Sequence, residues 1–131
     1  MRRLPVFAAL FLALVAAAAC SPSEPLQVST VQLGRSLNSD DTVGGHTTRF
    51  KPDDTIYVSV LSGQPGRGVV AVRWVYGGQV VSETSKEVSY NRESATEFHL
   101  QNSGGFPPGD YRVEILVDGE PVAQRQFRVE G

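Results

Sequence analysis

Gly109-Asp110-Tyr111-Arg112-Val113-Glu114-Ile115-Leu116-Val117-Asp118-Gly119 is the stretch whose reading decides the fold. Tyr111, Val113, Ile115 and Val117 fall on one side, and Arg112, Glu114 and Leu116 on the other, which is the two-residue period of a half-buried strand. Asp118-Gly119 then supplies two residues that tolerate positive φ, as a two-residue hairpin requires. The chain is predicted to return through Val122 to Val129, with Ala123, Phe127 and Val129 sharing a face.

The same pattern extends toward the N-terminus. Val69 to Tyr76 places Val70, Val72, Trp74 and Tyr76 on one side, and Gly77-Gly78 is a second two-residue hairpin signal. Gln79 to Glu87 reads as its more polar partner at a sheet edge, protected by Glu83 and Lys86. Ile56, Val58 and Val60 alternate with Tyr57, Ser59 and Leu61, and Thr96, Phe98 and Leu100 with Glu97 and His99. Leu26 to Leu33 is the first predicted strand, with Val31 and Leu33 on one face. Gly34 to Thr48 reads as a long polar connection, and Arg49 to Lys51 as a short edge piece before the Pro52-Asp53-Asp54 turn. No helical period of useful length appears after residue 20.

About seven short strands in about a hundred residues, punctuated by Gly, Pro, Asn and Asp, predict an all-β antiparallel sandwich. Two details make the pattern resemble the immunoglobulin-like and fibronectin-III-like domains. Trp74 lies in the third main strand, where such domains bury an indole across the core. Gly109-Asp110-Tyr111-Arg112-Val113 is similar to their tyrosine corner, with the tyrosine two residues before the second cysteine position of antibody domains. Val113 stands in that position here, and Val58 or Val60 in the first, so the resemblance implies a disulfide-free sandwich over residues 26–131. Another sandwich or a small barrel is the alternative, with Trp74 and Tyr111 as plain core aromatics. A fold of this kind does not fix a function.

Residues 1–25 carry a different message. Arg2 and Arg3 precede an apolar run from Leu4 to Val15, and the small residues Ala16 to Ala19 lead to Cys20, the only cysteine. A charged start, an apolar centre and a small-residue cleavage site make a secretory signal, expected over residues 1–19. Ser21-Pro22-Ser23-Glu24-Pro25 follows as a polar tether. The junction resembles the lipobox of bacterial lipoproteins, which implies that Cys20 becomes the first mature residue, is lipidated and anchors the protein to a membrane. Ala17 stands where that pattern prefers leucine, so ordinary cleavage after Ala19 is the competing reading. A diacylglyceryl group with an added acyl chain such as palmitate exceeds the two-chain threshold for stable anchoring. Ser21 is not the aspartate of inner-membrane retention, so the expected address is the bacterial cell envelope, at the outer membrane facing the periplasm.

Removing residues 1–19 leaves 112 residues with ten basic and fourteen acidic side chains, a balance of −4. One domain is the sensible count. The acidic balance argues against nucleic acid, which demands a basic face. With one cysteine there is no intrachain disulfide, so the core must stand on packing alone.

Chemistry-bearing residues do not converge in the sequence. His46 and His99 are 53 positions apart, with no cysteine left to complete a zinc set. Asp40-Asp41 and Asp53-Asp54 sit in no calcium-loop pattern and read as turns. Ser82, Ser85, Ser89 and Ser94 lack a nucleophile elbow, and no lysine follows Gly63–Gly68 to make a phosphate loop. No catalytic residue, metal or cofactor is therefore expected. Binding is expected instead through end loops, for which Gly63–Gly68, Lys86–Ser94 and Asn102–Gly109 are the candidates, or through a sheet edge. Phe106 in the last loop is either an exposed contact or a plug folded over the core. The expected role is a non-catalytic interaction domain that holds an envelope protein partner. A glycan- or cell-wall-binding module is the alternative, and Tyr57 and Tyr90 are the only aromatics that alternation leaves free for it.

Overall fold

The computed structural model describes residues 24–131, and Cys20, with the expected signal segment 1–19, lies outside the described residues. The described residues form nine strands: β1 (Thr30–Leu37), β2 (Val43–His46), β3 (Arg49–Phe50), β4 (Ile56–Ser62), β5 (Gly66–Tyr76), β6 (Gln79–Tyr90), β7 (Ser94–Leu100), β8 (Gly109–Val117) and β9 (Glu120–Val129). They form two sheets, in the orders β2-β1-β4-β7 and β3-β9-β8-β5-β6. All pairings are antiparallel except β3 with β9.

The alternation read from the sequence is what packs the two layers. Val31, Leu33, Ile56, Val58, Val60 and Phe98 from the small sheet meet Val70, Val72, Trp74, Val113, Ile115, Phe127 and Val129 from the large one in a single buried cluster. Trp74 is 1% exposed and meets the Phe127 ring edge-on at 6.0 Å. The Tyr111 hydroxyl donates to the Pro107 carbonyl at 2.6 Å, four residues upstream, which is the bond that defines a tyrosine corner. The protein is an immunoglobulin-like β-sandwich. Its two tight hairpins have positive φ at both central residues: 58° and 75° at Gly77-Gly78, 51° and 83° at Asp118-Gly119. Such turns follow the right-handed strand twist.

Three expectations need correction. The segment Gly34–Thr48 is not a loop: β1 runs on to Leu37 and turns back as β2, pairing Gly34 with His46 and Leu37 with Val43. Glycines permit it, because a Cβ on Gly34 would strike the Gly44 carbonyl oxygen. The turn lies over β4, where the Ser59 hydroxyl donates to the Asp41 carbonyl at 2.7 Å. Second, β1 starts at Thr30 rather than Leu26. Pro25 bridges Arg67 of the other sheet, with Leu26 N–H donating to the Arg67 carbonyl at 2.9 Å and Arg67 N–H to the Glu24 carbonyl at 3.0 Å. Third, Lys86–Ser94 is not a loop, since β6 reaches Tyr90 and β7 begins at Ser94.

The register gives the sandwich two unlike ends. Ser62 pairs with Ser94 and Gly66 with Tyr90, so the turns after β4, β6 and β8 gather at the end where Pro25 sits, here termed proximal. Tyr76 pairs with Tyr111 and Ile56 with Leu100, which sets Gly77-Gly78, Pro52–Asp54 and Asn102–Pro108 at the opposite, distal end.

Candidate interaction surfaces

The two histidines lie in one row across the outer face of the small sheet. His46 pairs with Gly34, Gly34 with Tyr57, and Tyr57 with His99. Three strand spacings of about 4.8 Å hold them roughly 14 Å apart, too far to share a metal ion. His99 instead sets its Nδ1 2.6 Å from Glu97 Oε1 and its ring 5.7 Å from that of Tyr57. Among the described residues no group of three His, Cys, Asp or Glu side chains is arranged to hold a metal ion.

The carboxylate pairs are consumed by turns. Asp40 accepts the Thr42 hydroxyl at 2.5 Å and the Thr42 N–H at 3.1 Å, and these bonds hold its carboxyl below the usual range. Partial burial pushes Asp54 up. The Lys51 N–H at 2.7 Å and the Arg35 guanidinium at 3.1 Å outweigh it and hold Asp54 below the carboxylate range. Ser82, Ser85 and Ser89 are spread along β6, and Ser94 donates to the Arg92 carbonyl at 3.1 Å. None of the four is bonded to a histidine.

The three candidate loops do not form one surface. Gly63–Pro65 and the short Asn91–Glu93 turn share the proximal end, while Asn102–Pro108 stands at the distal end. Phe106 is a plug: it is 5% exposed, with its ring edge-on to Tyr111 at 6.3 Å. Burial of the Tyr111 hydroxyl, and secondarily the neighbouring Tyr76, push Tyr111 above the ordinary phenol range. Tyr90 turns inward, its hydroxyl 2.8 Å from Thr96 Oγ1, so Tyr57 with His99 is what the small sheet's outer face offers a sugar ring.

Alternation had hidden the features that distinguish the two seams, where edge strands of opposite sheets run side by side. Lys86 pairs with the core residue Val70 and so points inward from β6. Its Nζ donates to the Glu97 carbonyl of β7, lies 3.5 Å from the Glu97 carboxylate and stands 4.9 Å over the Phe98 ring. On the other seam Arg125 pairs with core Val113 and points inward from β9, donating to the Val31 carbonyl of β1 at 3.1 Å. Each cation satisfies a small-sheet carbonyl that faces the seam, on β7 and on the half of β1 that β2 does not reach. A lysine and an arginine on predicted edge strands, in phase with core residues, are the signal that could have revealed them.

The fold and these surfaces define an immunoglobulin-like sandwich with one long open edge, β6. No protein-family model matches the chain, and no curated protein matches it. Among solved structures it is similar to an immunoglobulin-like protein from Pseudomonas aeruginosa, with a TM-score of 0.54 and 13% identity over 86% of this chain and 100% of that one. A β-glucosidase from Listeria innocua matches at TM-score 0.48 and 16% identity, over 81% of this chain. An alkylpurine DNA glycosylase from Pseudomonas fluorescens matches at 0.47 and 16%, over 77%. The chain spans 16% of the glucosidase and 30% of the glycosylase. These likenesses concern the fold alone.

Proposed function

We propose that this chain is a lipid-anchored envelope protein, held through Cys20, whose immunoglobulin-like sandwich is a non-catalytic protein-interaction domain. The observation that carries the anchor is sequential: a charged start, an apolar run and four alanines end at the only cysteine, four residues before Glu24. The start of the sandwich sets how an anchored domain would stand. Glu24 and Leu26 bond to Arg67 at the proximal end, so a lipid on Cys20 would hold that end within about 14 Å of the bilayer surface, four residues at full stretch. The sheet edges and the distal end would then face the surrounding space.

An interaction role is supported by exposed strand rather than by any cleft. The titratable groups with shifted ionisation, Asp40, Asp54 and Tyr111, each serve a turn or a corner. Such shifts identify a catalytic site when they converge in a cleft, and these belong to two separate turns and to strand β8.

Mass spectrometry of the mature N-terminus tests the anchor. The expected result is a triacylated Cys20, and an unmodified terminus at or after Cys20 overturns it. Capture from native envelopes tests the role: one stoichiometric protein partner is expected. Retention on purified peptidoglycan without protein would replace this reading with a cell-wall-binding one.

A further inference from the structure

The last strand of the large sheet is also its longest. β6 has twelve residues, roughly 40 Å at full extension, and pairs on one side only, with β5. Its other side presents the N–H and C=O groups of alternate residues to solvent. The other edges are shorter or partly covered: β2 has four residues and β7 seven, Lys86 caps a β7 carbonyl, Arg125 caps one on β1, and β3 covers the end of β9. The cation of Lys86 is engaged across the seam, which leaves Glu83 and Glu87 as the charges on the outward face of β6.

We infer that the open edge of β6 takes an extended segment of a partner protein, with basic residues on its outward face and an apolar side chain at its distal end. This rests on the reading of the domain as an interaction module and does not depend on the lipid.

Charge complementarity sets the partner's outward face. Glu83 and Glu87 pair with Arg73 and Val69 of β5, both on the outer side of the sheet. Glu83 has Arg73 at 3.4 Å, whereas Glu87 has no ion-pair partner among the described residues. An incoming strand sets its own side chains directly opposite and diagonal to these two carboxylates, where opposite charges stabilise and like charges repel. At the distal end the register shifts between Trp74 and Val75, leaving Val80 and Val81 54% and 51% exposed. Beside them is a cleft of about 270 Å³ lined by Val81, Tyr76, Leu100, Phe106 and Pro107. It lies on the inner side of the edge, where an apolar side chain of the added strand would project.

A second copy of this chain fits badly. Two identical edges meet antiparallel across a two-fold axis, and residues directly opposite one another share a face. Every register centred between Glu83 and Glu87 therefore sets an outward carboxylate directly opposite or diagonally beside one from the other copy. Lys86 points inward and cannot relieve it. The edge is thus biased against itself and toward a basic strand.

The probe is a ten-residue peptide alternating lysine with valine, N-methylated along one side so that it pairs through one edge only. The control is the same peptide with glutamate for lysine. Bound to the full chain, the lysine peptide is expected to slow amide exchange within Gln79–Tyr90 and to bind about tenfold more tightly than the control. Glu83→Lys with Glu87→Lys should invert that preference. Glu87→Lys alone, which breaks no ion pair, should reduce it if the double variant fails to fold. Equal binding of both peptides, no binding, protection on another strand, or a dimer protecting β6 without peptide would overturn the proposal. If envelope capture returns a stoichiometric partner that the charge-reversed protein still binds, the interaction role stands and the β6 assignment falls.

Discussion

At the distal end of the sandwich the closure is made of side chains. Phe106 folds under its loop, Tyr111 stacks between Tyr76 at 4.4 Å and Phe127 at 5.2 Å, and Phe50 meets Phe127 edge-on at 5.6 Å. At the proximal end the closure is made of main chain. Leu26 and Glu24 bond to Arg67, and Asp118 and Val69 bond reciprocally, N–H to carbonyl and N–H to carboxylate, each at 2.9 Å. The same fold therefore solves the same problem twice. Aromatic packing tolerates a missing polar atom but not a missing ring, whereas a backbone closure tolerates side-chain change but not bulk between the strands.

That contrast can be broken from either side. Phe106→Ala should have the largest effect, a loss of about 3 kcal/mol in denaturant unfolding, because it removes a buried ring packed against Tyr111 and leaves a cavity. Gly66→Ala should come next, at about 2 kcal/mol, since a Cβ there would stand 2.8 Å from Leu26 Cα and 2.9 Å from the Pro25 carbonyl oxygen. Its distinguishing sign would be fast exchange of the Leu26 amide while the Phe106 loop stays protected. Equal loosening of both ends would show them to be one cooperative unit.

Two smaller changes sharpen the distal side through pH. Tyr111→Phe keeps the stack and deletes the bond to Pro107, at an expected cost of about 1.5 kcal/mol. Because the folded phenol ionises above its unfolded value, its contribution is complete below about pH 10 and is lost as pH rises further. The phenylalanine variant should lose that part of the alkaline decline. Asp54→Asn should cost about 1 kcal/mol at neutral pH. The folded carboxyl ionises below its unfolded value, so its contribution is present above about pH 4 and fades as pH falls through the folded value. The stability curves of the wild type and the Asp54→Asn variant should converge in acid. A difference that persists at pH values of about 2, below the carboxylate range, would show that shape rather than charge is at work.

Much of this architecture is legible in the sequence alone. Asp118-Gly119 and Gly77-Gly78 announce their turns because few residues accept positive φ, and Trp74 and Tyr111 announce the core because their spacing is fixed by the sheets. The β1–β2 hairpin is not legible. Its glycines look like a flexible connection, and their actual task, letting two backbones meet at Gly34 and Gly44, needs the partner strand to be seen. Phe106 stands in a Gly-Gly-x-Pro-Pro setting that fits exposure as well as burial, and only the neighbouring Tyr111 decides. Lys86 and Arg125 are hidden for a related reason. A charged residue in core phase looks like an error of alternation until a carbonyl of the opposite sheet is found within its reach.

The bridge between Pro25 and Arg67 has one more consequence, which is mechanical. Any pull on the chain upstream of Glu24 reaches the domain first at Arg67, through the two hydrogen bonds on either side of Pro25. Arg67 belongs to β5, which pairs with β6 along its whole length and with β8 from Val70 onward. Tension is thus delivered to the start of β5, a strand anchored along its length by β6 and from Val70 also by β8, and not to β1, which pairs with β4 through five residues. The bridge acts like the strain relief on a cable: its two bonds must give way before β1 carries any load.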